Sequence, residues 1–415
     1  MRLRHPDGTV VHLGYGTNAL PAHEPVGLVA QATALGDRLR RLLDVPRVGL
    51  GLWLPGAAAH SLAADLAAVR RVREQLAAHG VEVVTLNAFP YSDFQGQQVK
   101  HEVYRPTWAE RPRLQHTLDA AAVLAELLPA DAVRGSISTL PLGWRTPWLA
   151  DRQRAAEAHL GELAAGLDAI EAQTGRSVVV AVEPEPGCVV ETVEEAVERL
   201  AEVDRSRVGV CLDLCHLAVG FEDPETALQR LDAAGLAVLK AQPAAALVVE
   251  DPADPAARAV LEGYAEDRFL HQVRQQSGRA HTRLQARDDL PEALGGRRPL
   301  RTGSPWRVHF HVPVHAAPAP PLRHSRPELR AWLAALLGGP QARVDHLEVE
   351  TYTWAVLPQG APADDDALAA GLAGELAWVH DELVALGLTP LDTDDPHLST
   401  RLTARLDPHI LQELP

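Results

Sequence analysis

The chain has 415 residues, 46% of them apolar, which is ample material for a large core. Its formal charge of −16 argues against a nucleic-acid partner, because polyanion binding draws affinity from Lys and Arg that neutralise phosphates. Three cysteines (Cys188, Cys211 and Cys215) are too few for a disulfide framework or a thiolate metal site, and no run has the length of a signal peptide or membrane span. A cytoplasmic protein with no membrane insertion is expected.

In chain order, short β-branched runs alternate with longer Ala/Leu-rich amphipathic segments, the pattern of βα units around a parallel sheet. Strands are predicted at 10–17, 48–54, 81–88, 133–139, 177–183, 207–213, 236–242 and 345–351. Helices are predicted at 24–43, 61–79, 111–128, 150–173, 192–203 and 225–234, and at 365–386. Eight such units suggest a (β/α)8 TIM barrel over 1–390 as one domain, although counting units does not by itself separate a barrel from an open sheet.

Two stretches interrupt the rhythm. Residues 90–108 form a polar and aromatic loop after the third strand. The segment 89–104 places Phe89, Tyr91, Phe94 and Tyr104 together in a chain with only 4% aromatics, and reads equally well as a substrate-covering loop or a structural plug. Residues 243–306 form a long insertion after the seventh strand, with helical character near 255–276 and turns near 278–304. A ninth strand-like run, WRVHFHV at 306–312, precedes the last unit, and the Asp/Pro-rich tail after Gly387, 391–415 in particular, reads as irregular.

Strand side chains alternate between faces, so parity assigns polar residues to the barrel interior. Glu183 shares a face with Val179 and Ala181, and Asp213 with Gly209 and Cys211. Lys240 and Gln242 share the inner face with Leu236 and Val238, and His346, Glu348 and Glu350 point in while Leu347, Val349 and Thr351 point out. His309 and His311 share one face of the ninth run. Each strand thus ends with an acid or amide where barrel enzymes place catalytic groups. Acids converging on one mouth repel unless a cation compensates them, so Glu183, Asp213 and Glu350, with one or more of His216, His309, His311 and His315, are candidate ligands for a divalent ion. Mixed carboxylate and imidazole donors suit Mn, Zn or Fe. Cys211 and Cys215 read as inert small hydrophobes. Lys240 is either a proton carrier or an ion-pair partner. No P-loop, dinucleotide fingerprint or nucleophile elbow is present.

These residues lie in segments that resemble the metabolite traffic protein EboE family, part of the xylose-isomerase-like barrel superfamily of sugar phosphate isomerases, epimerases and endonuclease-IV-like enzymes. The matching motifs are YGTN (15–18), GLGLWLP (49–55), NAFPYSDFQGQQVKHEVYRP (87–106), GSISTLPLGW (135–144), EPEPGCVVET (183–192), GVCLDLCHLAVGFEDP (209–224), FLHQV (269–273), WRVHFHVPVH (306–315) and HLEVETYTW (346–354). The resemblance implies a metal held by Glu183, Asp213 with His216, and Glu350. Where the superfamily usually supplies a histidine this chain has Gln242, so His309 or His311 must provide the imidazole. It also implies a step in making or moving a small metabolite, alongside other proteins of the same pathway.

The leading expectation is therefore a metal-dependent enzyme that isomerises, epimerises or cleaves a small hydroxylated or carbonyl metabolite. Glu185, Lys240 and Glu348 are the candidate catalytic groups. Asn87, Tyr91, Phe94, Gln242 and His315 are the candidate substrate contacts. The alternative is a non-catalytic carrier of the metabolite, and phosphodiester hydrolysis sits poorly with the acidic charge.

Overall fold

The computed structural model describes the chain except for residues 22–23, 93, 277–283, 394–396 and 406–415. A short hairpin opens it: β1 (Arg2–Arg4) pairs antiparallel with β2 (Val10–Gly16). Then follow β3 (Val48–Trp53), β4 (Val81–Asn87), β5 (Gly135–Thr139), β6 (Val178–Val182), β7 (Val208–Asp213) and β8 (Val238–Gln242), each parallel to the one before. After an inserted region comes β14 (His346–Val349), parallel to both β8 and β2. That double pairing closes eight parallel strands into an α/β TIM barrel.

Local chemistry punctuates the helices. Thr192 and Glu195 form a reciprocal capping box at the start of Val193–Arg199. Asp223 caps Pro224–Ala234, which ends on a left-handed Gly235. The single helix predicted at 61–79 is two, Gly56–Ala63 and Leu66–Ala78, because the Asp65 side chain accepts from Ala68 N and starts a new helix there.

The region between β8 and β14, which takes in the insertion expected at 243–306 and the strand expected at 306–312, departs most from expectation within the insertion itself. It holds β9 (Ala245–Val249), β10 (Val273–Gln275), β11 (Gln285–Arg287), β12 (Trp306–Val312) and β13 (Arg323–His324), paired antiparallel in the order β11-β10-β12-β9-β13. Helix occupies only Pro255–Glu262 of the stretch predicted helical, and 273–275 is strand. This second sheet rests on the helix Leu214–Val219 through a small apolar cluster of Cys215, Ala218, Val219, Ala244 and Ala246. Its strands thereby stand over the C-terminal mouth of the barrel.

The tail contains structure as well. The helix Leu398–Arg405 buries Leu398 and Leu402, and Arg401 donates to the carbonyls of Leu43 and Asp44. Those two leucines are the apolar face that the Asp- and Pro-rich composition obscured. No helix among the described residues is long and apolar enough to cross a membrane.

Candidate metal centre and active-site chamber

The barrel interior is polar in layers. At its base His12 bonds Glu82 at 2.7 Å, and His346 meets Ser136 at 2.8 Å. In the next layer Lys240 Nζ lies 2.9 Å from Glu348 Oε2 and 3.1 Å from Ser138 Oγ, and both charged residues are 0% exposed. Only glycine permits this on the facing strands: a Cβ at Gly51 would overlap the Glu348 carboxylate, and one at Gly16 would press on it at 2.9 Å.

Above that layer the strand ends bring three acids together. One carboxylate oxygen each of Glu183, Asp213 and Glu350 lies within 4.8 Å of the others. Asp213 Oδ1 also accepts from Cys215 N and His216 N, capping the short helix that returns His216 over the mouth. Glu350 Oε1 accepts from Asn18. Glu183 Oε2, Asp213 Oδ2, Glu350 Oε2 and His311 Nε2 are buried without a hydrogen-bond partner. Burial pushes the Glu183 and Glu350 carboxyls well above the usual range, and repulsion within the acid set pushes the same way. Burial also raises Asp213, against the pull of His311 and the two backbone N–H groups.

Three imidazoles complete the cluster. Asp213, His216 and His311 form one set of converging ligand atoms, and Glu185, His216 and His309 another. Burial lowers His216 to about 3 and His311 to about 4, and drives His309 well below its ordinary value, so all three rings are neutral near pH 7. Each Nδ1 faces an oxygen that can only accept: Pro184 O at 3.0 Å from His216, Gln272 Oε1 at 2.6 Å from His309, Glu350 O at 2.7 Å from His311. The proton therefore sits on Nδ1 in each ring, and Nε2 presents a lone pair to the centre. Three orphaned carboxylate oxygens and the orphaned Nε2 of His311, buried in this cluster, are donor types that fit a divalent cation. His309 and His311 reach this point together because side chains two apart on β12 share a face, opposite the core residues Val308, Phe310 and Val312.

A chamber lies over the cluster, lined at its floor by Glu183, Glu185, His216, His309 and Glu350, with Asn87 at the side. Its free space is about 50 Å³, room for a few waters at the usual ~10–15 Å³ each. Burial raises Glu185 to about 8, although Tyr104 OH donates to it at 2.7 Å. Of the other residues singled out from sequence, Phe94 lines the chamber but Tyr91, Gln242 and His315 do not. Tyr91 turns outward against His116 and Arg113, because the chain leaves the barrel rim at Pro90. Gln242 is registered beside Asp213 but accepts from Cys211 within the barrel wall. His315 stacks on Trp354 beneath the helix Asp365–Ala385. Lys240 and Glu348 lie one layer below the chamber, as partners of each other. Val238 does not share their face, since a bulge pairs it with outward Val210 while Lys240 pairs with Cys211.

Several residues that touch the site escaped the sequence reading. Asn18 and Gln272 hold ligands in place, and Phe269 and Tyr352 wall the chamber. Gln272 and Phe269 lie within the insertion, where alternation is too short to assign a face.

A family model described as xylose isomerase-like TIM barrel matches residues 49–246, so the barrel is of the xylose-isomerase-like type. No curated protein matches the chain by sequence. Among solved structures, the chain is similar to 3-keto-D-glucoside 4-epimerase YcjR from E. coli (15% identity, 56% of this chain and 79% of that one, TM-score 0.35). It is also similar to the probable 3-DHS dehydratase AsbF from Bacillus anthracis (13%, 89% and 98%, TM-score 0.43). A third is D-psicose 3-epimerase from Clostridium cellulolyticum H10 (14%, 90% and 99%, TM-score 0.44).

Proposed function

We propose that this xylose isomerase-like barrel is a divalent-metal enzyme that isomerises, epimerises or cleaves a small metabolite inside the chamber. One observation carries the reading: Asp213 belongs to two converging groups of ligand atoms, one with Glu183 and Glu350 and one with His216 and His311, and an oxygen of each acid and Nε2 of His311 are buried without a hydrogen-bond partner among the described residues. Glu183, Asp213, Glu350 and His311 would hold the ion, with His216 and His309 alongside. This donor set suits Mn, Fe or Zn. When bound, such an ion supplies Lewis-acid polarisation of a carbonyl or hydroxyl oxygen.

The remaining work falls to the chain's own groups. Glu185 faces the chamber with a pKa of about 8, so it carries a proton near neutral pH and can give it up or take it back. Tyr104 fixes its orientation through Oε1, and Gln272 in turn donates to the Tyr104 oxygen at 2.9 Å. Lys240 is assigned a charge-balancing role beneath the site, with Glu348 as its counter-ion. The finer assignment to the EboE family, and with it a place in metabolite traffic beside other pathway proteins, belongs to this proposal. So does a cytoplasmic setting, consistent with three buried cysteines that all remain thiols.

Metal analysis of purified protein, followed by untargeted metabolite turnover with and without the ion, tests the reading. At least one equivalent of a transition metal per chain and ion-dependent consumption of one metabolite are expected. Protein that neither holds nor takes up such an ion would sink it.

A further inference from the structure

We infer that the substrate is a compact molecule with oxygen atoms at one end only and an apolar, ring-bearing or unsaturated body, rather than a polyhydroxylated sugar. The inference deepens the proposed function and rests on it for what holds the polar end.

Polarity in the chamber is segregated. Every orphaned polar atom that lines it, Glu183 Oε2 and Glu350 Oε2, is at the floor. Elsewhere in the lining most polar atoms already have partners within the protein, the side-chain nitrogen of Asn87 excepted. Asn87 Oδ1 accepts from Phe89 N at 2.9 Å, and Lys100 Nζ pairs with Asp289 at 2.6 Å. Tyr104 OH is shared between Glu185 and Gln272, and Tyr352 OH lies 3.3 Å from His309 Nε2. The rest of the wall is Phe89, Phe94, Val99, Val103, Phe269 and Leu270.

Phe94, Phe269 and Tyr352 form a triangle of rings, with centroids 5.1, 5.1 and 4.8 Å apart, contributed by three separate segments. A sugar entering this space would lose water from several hydroxyls and find few replacements beyond the floor and the Asn87 amide. A flat apolar body would instead replace ring contacts with ring contacts. The small free volume means the triangle must part to admit it, and a planar body costs the least opening.

The test titrates metal-loaded protein with benzohydroxamate, acetohydroxamate and D-fructose, following heat of binding. Metal-free protein is titrated in parallel with benzyl alcohol and glycerol. Benzohydroxamate is expected to bind about tenfold or more tighter than acetohydroxamate, from burial of the phenyl ring. D-fructose should give no saturable heat, and benzyl alcohol should bind in preference to glycerol. Phe94→Ala and Phe269→Ala should each erode the aryl preference while leaving acetohydroxamate affinity unchanged. Loss of the preference in the parent, or D-fructose binding more tightly than benzohydroxamate, overturns the inference. Should neither hydroxamate bind while benzyl alcohol is still preferred, the metal reading falls and the apolar chamber stands.

Discussion

His216 and His309 point their Nε2 atoms at each other across 3.1 Å, while each gives its Nδ1 proton to an oxygen, Pro184 O and Gln272 Oε1 respectively. Two lone pairs at that separation repel, and the neutral rings have no spare proton to place between them. The contact also joins two architectures, since His216 follows a barrel strand and His309 lies on β12 of the inserted sheet. Gln272 accepts the Nδ1 proton of the second ring and so fixes its tautomer, and Gln272→Ala should weaken metal affinity by about 10–100-fold, the usual cost of losing such a support. Competition against a chelator measures this. Affinity equal to the parent's would remove the orienting role.

The acids separate into ligands and a proton carrier by position. Glu183→Gln, Asp213→Asn and Glu350→Gln should each lose most bound metal. Their metal-free melting temperatures should hold or rise, because each removes a carboxylate that burial and its neighbours disfavour. Glu185→Gln should keep the metal and lose turnover. Metal stoichiometry and melting of the four variants decide the matter, and an emptied Glu185→Gln beside a full Glu183→Gln would reverse the two roles.

The sequence made the barrel legible because its strands are short β-branched runs whose alternation survives burial on both faces. Parity also carries Glu183, Asp213 and Glu350 to one side, and strand-end position carries them to one height. Alternation holds on β12, where His309 and His311 share one face opposite Val308, Phe310 and Val312, but it fails where the bulge near Val238 breaks the face assumed for 236–242. It is also silent where a loop leaves the rim, which is why Tyr91 and His315 turn away from the chamber. Glu375 gave a faint signal, one acid deep within an otherwise apolar stretch of its helix, but nothing local says what it meets.

Lys240 and Glu348 test how the interior balances its charge. Lys240→Met leaves a fully buried carboxylate without its cation, beside orphaned Glu348 Oε1. Breaking such a pair typically costs about 3–5 kcal/mol. The double variant Lys240→Met/Glu348→Gln removes both charges at similar volume and should recover most of that loss. Denaturant melts of the two variants and Glu348→Gln alone complete a cycle. If the double variant is as unstable as Lys240→Met, the pair is not the interaction that matters, and Lys240 acts through the acids above it.

Glu375 offers a pH dependence that lies outside the metal cluster. Thr351 Oγ1 and Val314 N donate to its Oε1 at 2.7 and 2.9 Å, and Tyr15 OH and Trp354 Nε1 donate to Oε2 at 2.5 and 3.1 Å. Burial nonetheless raises its carboxyl from 4.5 to about 7, the four donors pulling the other way. A carboxyl held above its unfolded value stabilises the fold in the protonated form. That contribution is whole below 4.5 and is lost as pH climbs through about 7. The loss amounts to roughly 3 kcal/mol at most, since each tenfold change in proton affinity is worth about 1.4 kcal/mol. Tyr15, the titratable side chain that bonds Glu375, is pushed well above its ordinary range by burial and stays neutral across this window. Metal-free parent should therefore lose melting temperature between about pH 5 and pH 8 more steeply than Glu375→Gln, which cannot ionise. The variant should be the less stable of the two at the acidic end, because one amide oxygen cannot serve four donors. Parallel pH curves would mean that Glu375 is ionised throughout, its donors having outweighed burial. In that case the segment Thr351–Trp354, which follows Glu350 and carries Tyr352 into the chamber, is anchored by a permanent charge.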